Sequence, residues 1–211
     1  MIPKKIFTIW LSYNPEYPPL IKKCIDSQKI DGYEHKVITL DNYYKGSKYV
    51  NEALLMAQKT GETSWLVKAS DWLRCYHIWR DGGIYLDADM EVLEGKNFDD
   101  MLNTRMFIAK ETTELAANSA FGAEKGYPFL KEYLDFVEAN FRGDGPVVFE
   151  PGVRAFTDLL WLIKDKEAVG IKVYGNDVFF PYMHGTEQLK VTPNTRVYHH
   201  FALSWTENSK L

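Results

Sequence analysis

The spacing of apolar residues along the chain changes period several times, and each change predicts a new element of secondary structure. Within residues 63–81, aromatic and small residues recur every three or four positions, which is the spacing of one face of a helix. These residues are Trp65, Ala69, Trp72, Tyr76 and Trp79. After Gly82 and Gly83, which end this helix, apolar residues occupy every second position of 84–93, as in a strand.

The same criteria divide the rest of the chain into short strands and longer helices. They predict strands at 5–11, 35–40, 106–110, 119–123, 172–174 and 195–200, and helices at 19–28, 49–59, 128–140 and 153–164. No repeat, low-complexity stretch or linker interrupts this order. We therefore expect one domain over residues 1–211, of the α/β class, with a mixed central sheet and helices on both faces.

The charge and the aromatic content narrow the choice of ligand. The chain of 211 residues has 25 Lys and Arg against 29 Asp and Glu, a net charge of −4. Nucleic-acid binding requires a basic surface, so nucleic acid is not an expected partner. A nucleotide remains open, because a bound metal ion would supply positive charge. Aromatic residues make up 15%, which predicts either an aromatic core or a surface that stacks on bases and sugars.

Cysteine usage and hydropathy bear on the compartment. The two cysteines, Cys24 and Cys75, are far apart and form no zinc-binding pattern, which excludes a disulfide scaffold and fits a reducing compartment. No apolar run reaches the roughly 18 residues of a transmembrane helix. Residues 1–5 are too short and too mixed for a signal peptide. We expect a cytoplasmic protein without a transmembrane segment, with at most transient peripheral contact at the inner face of a membrane.

Two acidic residues lie within the predicted strand at 84–93. Alternation places Asp87 and Asp89 on one face together with Tyr85 and Glu91, opposite the apolar residues. Two neighbouring carboxylates need a counter-charge to remain ionised together, and Mg²⁺ or Mn²⁺ is the usual one. The alternative is an exposed strand with solvated acidic side chains.

A second charged pair lies on the preceding helix. Asp71 and Arg74 are three positions apart and project together, on the face opposite the tryptophans. One interpretation is a surface ion pair worth about 0.2–0.5 kcal/mol. The other is a site in which Arg74 holds a phosphate or a sugar hydroxyl and Asp71 accepts a hydrogen bond from one.

Two histidines and a tryptophan complete the candidates. His199 and His200 are adjacent in a predicted strand and so point to opposite faces, which allows at most one of them to join the carboxylates. A neutral imidazole would complete a Mn²⁺ shell, although an adjacent histidine pair is also a common surface feature. Trp10, at the end of the first strand, would either stack on a base or belong to the core.

Three segments of the chain resemble a known family. They are the opening IPKKIFTIW of residues 2–10, the block ASDWLR at 69–74 with GGIYLDAD at 82–89, and the tail YHHFALSW at 198–205. This pattern resembles the small DXD-containing glycosyltransferases, a family-32-like group that includes yeast initiating α-1,6-mannosyltransferases, vertebrate α-1,4 sugar transferases and bacterial capsular polysaccharide enzymes. Phe7 departs from it, because many relatives have His there. Motifs of P-loop kinases, Rossmann dehydrogenases, serine hydrolases and zincins are absent from the sequence.

The resemblance implies a GT-A fold and a metal-dependent, retaining transfer of a hexose from a nucleotide-sugar donor to a saccharide acceptor. A UDP-sugar is preferred to a GDP-sugar as the expected donor. The acceptor would be an oligosaccharide or a lipid-linked saccharide in surface or capsular polysaccharide synthesis. Two alternatives stay open, a non-catalytic glycan- or nucleotide-binding module of the same fold and a metal-dependent phosphatase that uses Asp87 and Asp89.

Carried over by position, the resemblance also assigns roles within the donor site. Asp89 would bind Mn²⁺ or Mg²⁺, Asp87 would contact the metal or the ribose, and His200 would close the metal shell. Asp71 and Arg74 would hold the donor sugar and diphosphate.

The remaining roles concern the ends of the donor and the acceptor. Trp10 would lie beside the base, and Ser204 and Trp205 would cover the diphosphate or the glycosidic oxygen on a closing tail. Asn118 and Glu124 would lie on the acceptor side, unless they are plain loop residues.

Overall fold

The computed structural model describes residues 1–140, 151–181 and 191–202. Its strands are β1 (Lys5–Ile9), β2 (Glu34–Ile38), β3 (Gly83–Leu86), β4 (Met90–Val92), β5 (Met106–Lys110), β6 (Ala116–Ala123), β7 (Ile171–Tyr174) and β8 (Val197–His199). Its helices are α1 (Pro19–Ser27), α2 (Lys48–Thr60), α3 (Ser64–Asp81), α4 (Pro128–Asn140) and α5 (Val153–Leu162). Apart from the region that follows Gly83, the predicted elements are confirmed to within three residues at each end.

Six strands form a mixed central sheet in the order β2-β1-β3-β6-β5-β7. The neighbours β2, β1 and β3 are parallel, β6 is antiparallel to β3 and β5, and β7 is parallel to β5. The strands β4 and β8 form a separate antiparallel pair. The predicted α/β class with a mixed central sheet is therefore confirmed.

The predicted strand at 84–93 is in fact two strands in two different sheets. The chain leaves the central sheet after Leu86, turns through Asp87 to Asp89, and continues as β4. The predicted alternation holds for Tyr85, which lies on the same side as Asp87 and opposite Ile84 and Leu86, although Tyr85 is only 1% exposed. β3 is buried along its whole length in the middle of the sheet, so residues on both of its faces are shielded from solvent.

Helix α3 is buried on two sides rather than amphipathic. It packs against β1, β3 and β6 of the sheet and also against α2 and α4. Trp72, from the predicted apolar face, is 4% exposed, and Asp71, from the predicted polar face, is 3% exposed. The period of the tryptophans identified one buried face, but it gave no sign that the charged face is covered as well.

The two faces of the central sheet are covered differently. Helices α2 to α5 and the residues Phe7, Ile9 and Tyr85 belong to the core on one face. The opposite face packs on Phe98, Phe179 and the β4–β8 pair, against which α1 lies. Among the described residues, no helix combines the length and the apolar character needed to cross a lipid bilayer.

The start of β3 depends on a backbone shape that only glycine adopts readily. Gly83 has φ +130°, and a Cβ atom there would lie 2.8 Å from the carbonyl oxygen of Lys5. Gly95 also has positive φ, +72°, but a Cβ atom there would meet nothing within 4 Å. The two glycines therefore separate backbone strain alone from strain combined with a steric clash.

We predict that Gly83→Ala lowers the free energy of unfolding by about 3 kcal/mol or more, since strain and overpacking add. The matched variant Gly95→Ala should lose about 1 kcal/mol, from the left-handed backbone alone. Urea unfolding of both variants and the wild type measures the difference. Equal losses in the two variants would show that the close approach of β1 to β3 is not a constraint.

Candidate donor-sugar and metal site

The candidate site lies where the parallel strands β1 and β3 end. The carboxyl ends of both strands meet at the same edge of the sheet, and a cavity of about 540 Å³ opens there. Trp10 follows β1, Asp87 and Asp89 follow β3, and α3 passes beside both strands. The cavity lining includes five predicted site residues, Trp10, Asp71, Arg74, Asp87 and Asp89.

The guanidinium of Arg74 connects three elements at the floor of this cavity. Its Nη2 atom lies 3.1 Å from Asp71 Oδ1 and 3.3 Å from Asp87 Oδ1. Its Nη1 atom donates to the backbone carbonyl of Asn118 at 3.1 Å. Asn118 Nδ2 in turn donates to Asp71 Oδ1 at 3.0 Å, which closes a network across α3, β6 and the end of β3.

This network excludes the interpretation of Asp71 and Arg74 as a surface ion pair, because their side chains are 5% and 7% exposed. Burial raises the pKa of Asp71 to about 6, and the charge of Arg74 opposes that rise. Burial alone would lower the pKa of Arg74, but the negative charge of Asp87 above all raises it. Arg74 is thus a permanent cation held beside two carboxylates.

The turn after β3 directs both carboxylates of the Asp-Ala-Asp segment toward the cavity. The backbone N–H of Asp87 donates to the backbone carbonyl of Ser119 at 2.9 Å, and the N–H of Met90 donates to the carbonyl of Asp87 at 3.1 Å. The hydroxyl of Tyr85 donates to Asp87 Oδ1 at 2.6 Å. Burial raises the pKa of Asp87, against the opposing charge of Arg74.

Asp89 is held from the side of β8. His199 Nε2 lies 3.2 Å from Asp89 Oδ1, and Asp89 Oδ2 accepts from the backbone N–H of Ala202 at 2.8 Å. Burial favours the neutral acid, but His199 and the backbone donors outweigh it and lower the pKa of Asp89 to about 2. Asp89 is therefore an ionised carboxylate at any physiological pH.

The structure places His199, rather than the predicted His200, beside Asp89. β8 pairs with β4 so that His199 is opposite Met90, next to the Asp-Ala-Asp turn. His200 points the other way, with Nε2 2.9 Å from Glu91 Oε2, and Lys23 Nζ is 2.8 Å from the same oxygen. Sequence alternation showed that only one histidine could face the carboxylates but could not select which one.

The chemistry of this group suits a divalent metal ion. Asp87, Asp89 and His199 each offer one ligand atom, and these atoms lie within 4.8 Å of one another. Carboxylate oxygens suit Mg²⁺ and Mn²⁺, and one imidazole favours Mn²⁺ among hard cations. His199 Nδ1 is buried and has no hydrogen-bond partner within the described residues, so the imidazole orientation rests on its carboxylate side.

The other predicted site residues divide into three cases. Trp10 lines the cavity, and its buried Nε1 has no partner among the residues described. Ser204 and Trp205 lie outside the described residues. Glu124, expected on the acceptor side, pairs with Arg105 at 2.6 Å and lies outside the lining of this cavity.

Sequence reasoning missed two kinds of contributor. Tyr85 was assigned only to a strand face, and the hydrogen bond from its hydroxyl to Asp87 was not predicted. The sequence carried a signal for it, because residues two apart in a strand lie on the same face. Ser119 and the carbonyl of Asn118 take part through the β6 backbone, which carries no signal in the residue type. Asn118, expected on the acceptor side, lines the cavity but is bound to Asp71 at its floor.

Comparisons with known proteins identify the family of the chain. Residues 1–141 match the family model of the capsular polysaccharide synthesis proteins. Human alpha-1,4-N-acetylglucosaminyltransferase is 27% identical over 129 residues, which are 58% of this chain and 36% of that relative. The chain therefore corresponds to little more than a third of the length of this curated relative.

Solved structures support the fold. The PaToxG glycosyltransferase superposes with a TM-score of 0.60 and 19% identity, over 80% of this chain and 73% of that chain. A glycosyltransferase involved in glycosylation of the major capsid of PBCV-1 superposes with a TM-score of 0.52 and 13% identity, over 96% of both chains. With the family model covering more than half of its residues, the chain belongs to the capsular polysaccharide synthesis protein family and has a GT-A-type glycosyltransferase fold.

Proposed function

We propose that the protein is a metal-dependent, retaining glycosyltransferase that moves a hexose from a nucleotide-sugar, preferably a UDP-sugar, to a saccharide acceptor. Residues 1–211 would act as one catalytic domain in the synthesis of a surface or capsular polysaccharide. The acceptor would be an oligosaccharide or a lipid-linked saccharide. Family membership supports the reaction class, and the residues of the cavity support the chemistry.

One observation carries the proposal. The carboxylates of Asp87 and Asp89, the imidazole of His199 and the guanidinium of Arg74 converge on one cavity that also contains Trp10. A non-catalytic glycan-binding module has no need of a carboxylate–imidazole triad beside a buried cation. A nucleotide-sugar needs both, since its diphosphate carries negative charge next to the reacting carbon.

Asp87, Asp89 and His199 are the residues that would hold Mn²⁺ or Mg²⁺. The ion, when bound, acts as a Lewis acid that stabilises negative charge on the diphosphate leaving group. The protein prepares this site by keeping Asp89 ionised and by bonding Asp87 to Tyr85 and Arg74.

Arg74 and Asp71 would act on the donor. Arg74 remains a cation in the cavity floor and would stabilise the charge that develops on the phosphate oxygens as the anomeric C–O bond breaks. Asp71 would accept hydrogen bonds from hydroxyls of the transferred sugar, with its orientation set by Arg74 and Asn118. Trp10 would stack on the base, while Ser204 and Trp205 would contact the diphosphate or the glycosidic oxygen of the donor.

We expect UDP to bind with Mn²⁺ and to lose that binding in excess EDTA, and Asp89→Asn to abolish the metal-dependent part. The substitution keeps the shape of the side chain and removes its charge, so the loss of affinity should exceed about tenfold. Isothermal calorimetry with UDP and GDP, each with Mn²⁺ and with EDTA, measures the affinity and shows which nucleotide the protein prefers. Circular dichroism melting of the variant controls for folding.

No heat of binding for either nucleotide in any metal condition would overturn the donor-site assignment. Binding without turnover of any UDP- or GDP-hexose would favour the non-catalytic module instead. Where turnover is found, ¹H NMR of the first-formed product tests retention at the anomeric carbon.

The two histidines offer a matched pair of variants. His199→Gln should weaken Mn²⁺ binding by about tenfold or more, because it removes an imidazole within ligand distance of the carboxylates. His200→Gln should change it less than twofold, because His200 bonds to Glu91 outside the site. Titration of Mn²⁺ by electron paramagnetic resonance gives both constants, and the reverse ranking would return the ligand role to His200.

Asp71→Asn tests the assignment of this residue to the sugar rather than to the nucleotide. We predict that the Kd for UDP with Mn²⁺ stays within threefold of wild type, while kcat for UDP-hexose turnover falls by about 100-fold. Release of UDP from UDP-glucose, UDP-galactose and UDP-N-acetylglucosamine provides the rates. A large loss of UDP affinity with unchanged kcat would place Asp71 on the nucleotide instead.

A further inference from the structure

The turn between β3 and β4 receives support from a buried glutamine on α1. Gln28 follows the last residue of α1 and is 0% exposed. Its Nε2 atom donates to the backbone carbonyl of Asp87 at 2.9 Å and to that of Met90 at 2.8 Å. These two carbonyls lie at the two ends of the Asp87–Met90 turn, so one side-chain amide spans the whole turn.

A hydrogen-bond chain fixes the orientation of this amide. Carbonyl oxygens only accept, so the side of Gln28 that faces them must be its NH₂ group. Its Oε1 atom then faces Thr8 of β1, whose hydroxyl donates to it. Since Thr8 has only one hydroxyl proton, His35 Nε2, 3.0 Å away on β2, must be the donor to Thr8.

The position of the turn makes this support important. Residues 87 to 89 belong to neither sheet, and the turn begins where the central sheet ends. Ser27 makes a separate contact from the same helix end, in which its Oγ accepts from Val92 N–H of β4 at 2.9 Å. Ser27 therefore binds the strand beyond the turn, while Gln28 binds the turn itself.

We infer that Gln28 is a positioning residue for the metal site: its amide holds the backbone of the Asp87–Met90 turn so that the two carboxylates converge with His199. The consequence for the metal rests on the proposed function, whereas the effect on the turn does not. Gln28 itself offers no ligand atom, because its amide oxygen is bonded to Thr8 and its nitrogen to the two carbonyls.

The test compares Gln28→Met, which keeps the length of the side chain and removes the amide, with Ser27→Ala as the matched control. Thr8→Val is a third variant that removes the bond to Gln28 Oε1 without touching the turn. Two measurements are made on each full-length variant, namely amide hydrogen exchange of residues 87–92 without metal, and Mn²⁺ binding by electron paramagnetic resonance. Thermal unfolding confirms that each variant is folded.

We expect Gln28→Met to accelerate exchange of the Met90 amide at least tenfold and to weaken Mn²⁺ binding at least tenfold. Thr8→Val should change both in the same direction by a smaller factor. Ser27→Ala should accelerate exchange only at Val92 and leave Mn²⁺ binding within twofold of wild type. A loss that is common to all three variants would identify general destabilisation and overturn the proposal.

The two measurements also separate this inference from the proposed function. Unchanged exchange in folded Gln28→Met overturns the positioning role, whatever the metal binding. Faster exchange with unchanged Mn²⁺ affinity overturns the link between turn and metal. If the wild type binds no Mn²⁺ with or without UDP, the proposed function fails, and the exchange data alone decide whether Gln28 positions the turn.

Discussion

The site depends on the ion pairs that the buried guanidinium of Arg74 forms with Asp71 and Asp87. The guanidinium joins Asp71 on α3, Asp87 after β3 and the Asn118 carbonyl of β6 in one hydrogen-bonded group. A single buried carboxylate would be costly to ionise here, and two would repel one another. With Arg74 between them, the carboxylates remain close to the end of β3, and the elements that carry them are drawn together. Loss of this cation would leave the buried Asp71 and its neighbour Asp87 without a compensating charge.

The central sheet and the turn after it play complementary parts. The sheet supplies rigidity, because β3 is buried between β1 and β6 and its partners fix its register. The turn orients the carboxylates of Asp87 and Asp89 toward the cavity, because residues outside the sheet need not alternate between its two faces. Gln28 at the end of α1 then bonds two backbone carbonyls of the turn, and His199 of β8 holds the Asp89 carboxylate. The turn that carries Asp87 and Asp89 is thus supported by two elements, α1 and β8, that are distant from it in sequence.

Much of this arrangement could be predicted from local patterns. Strand and helix periods gave the element order, and the Asp-Ala-Asp spacing with Asp71 and Arg74 identified the cavity residues. The predictions that were wrong concerned features that depend on tertiary packing. The burial of the Asp71 face depends on what packs over α3, and the break after Leu86 depends on where the sheet ends. The roles of Gln28 and Thr8 could not be predicted from a motif, because a buried glutamine differs from an exposed one only in its spatial neighbours.

The pairing of β4 with β8 has a further consequence. It joins Met90 to His199, residues that are more than a hundred positions apart, through a ladder of only three residue pairs. Because side chains alternate along a strand, a shift of this ladder by one residue in either direction would turn His199 away from the cavity. A change in the length of the chain before β8 therefore preserves the metal group only if the pairing of His199 with Met90 is kept. A slip of one residue in one direction would put His200 opposite Met90, and a slip in the other direction would put Tyr198 there.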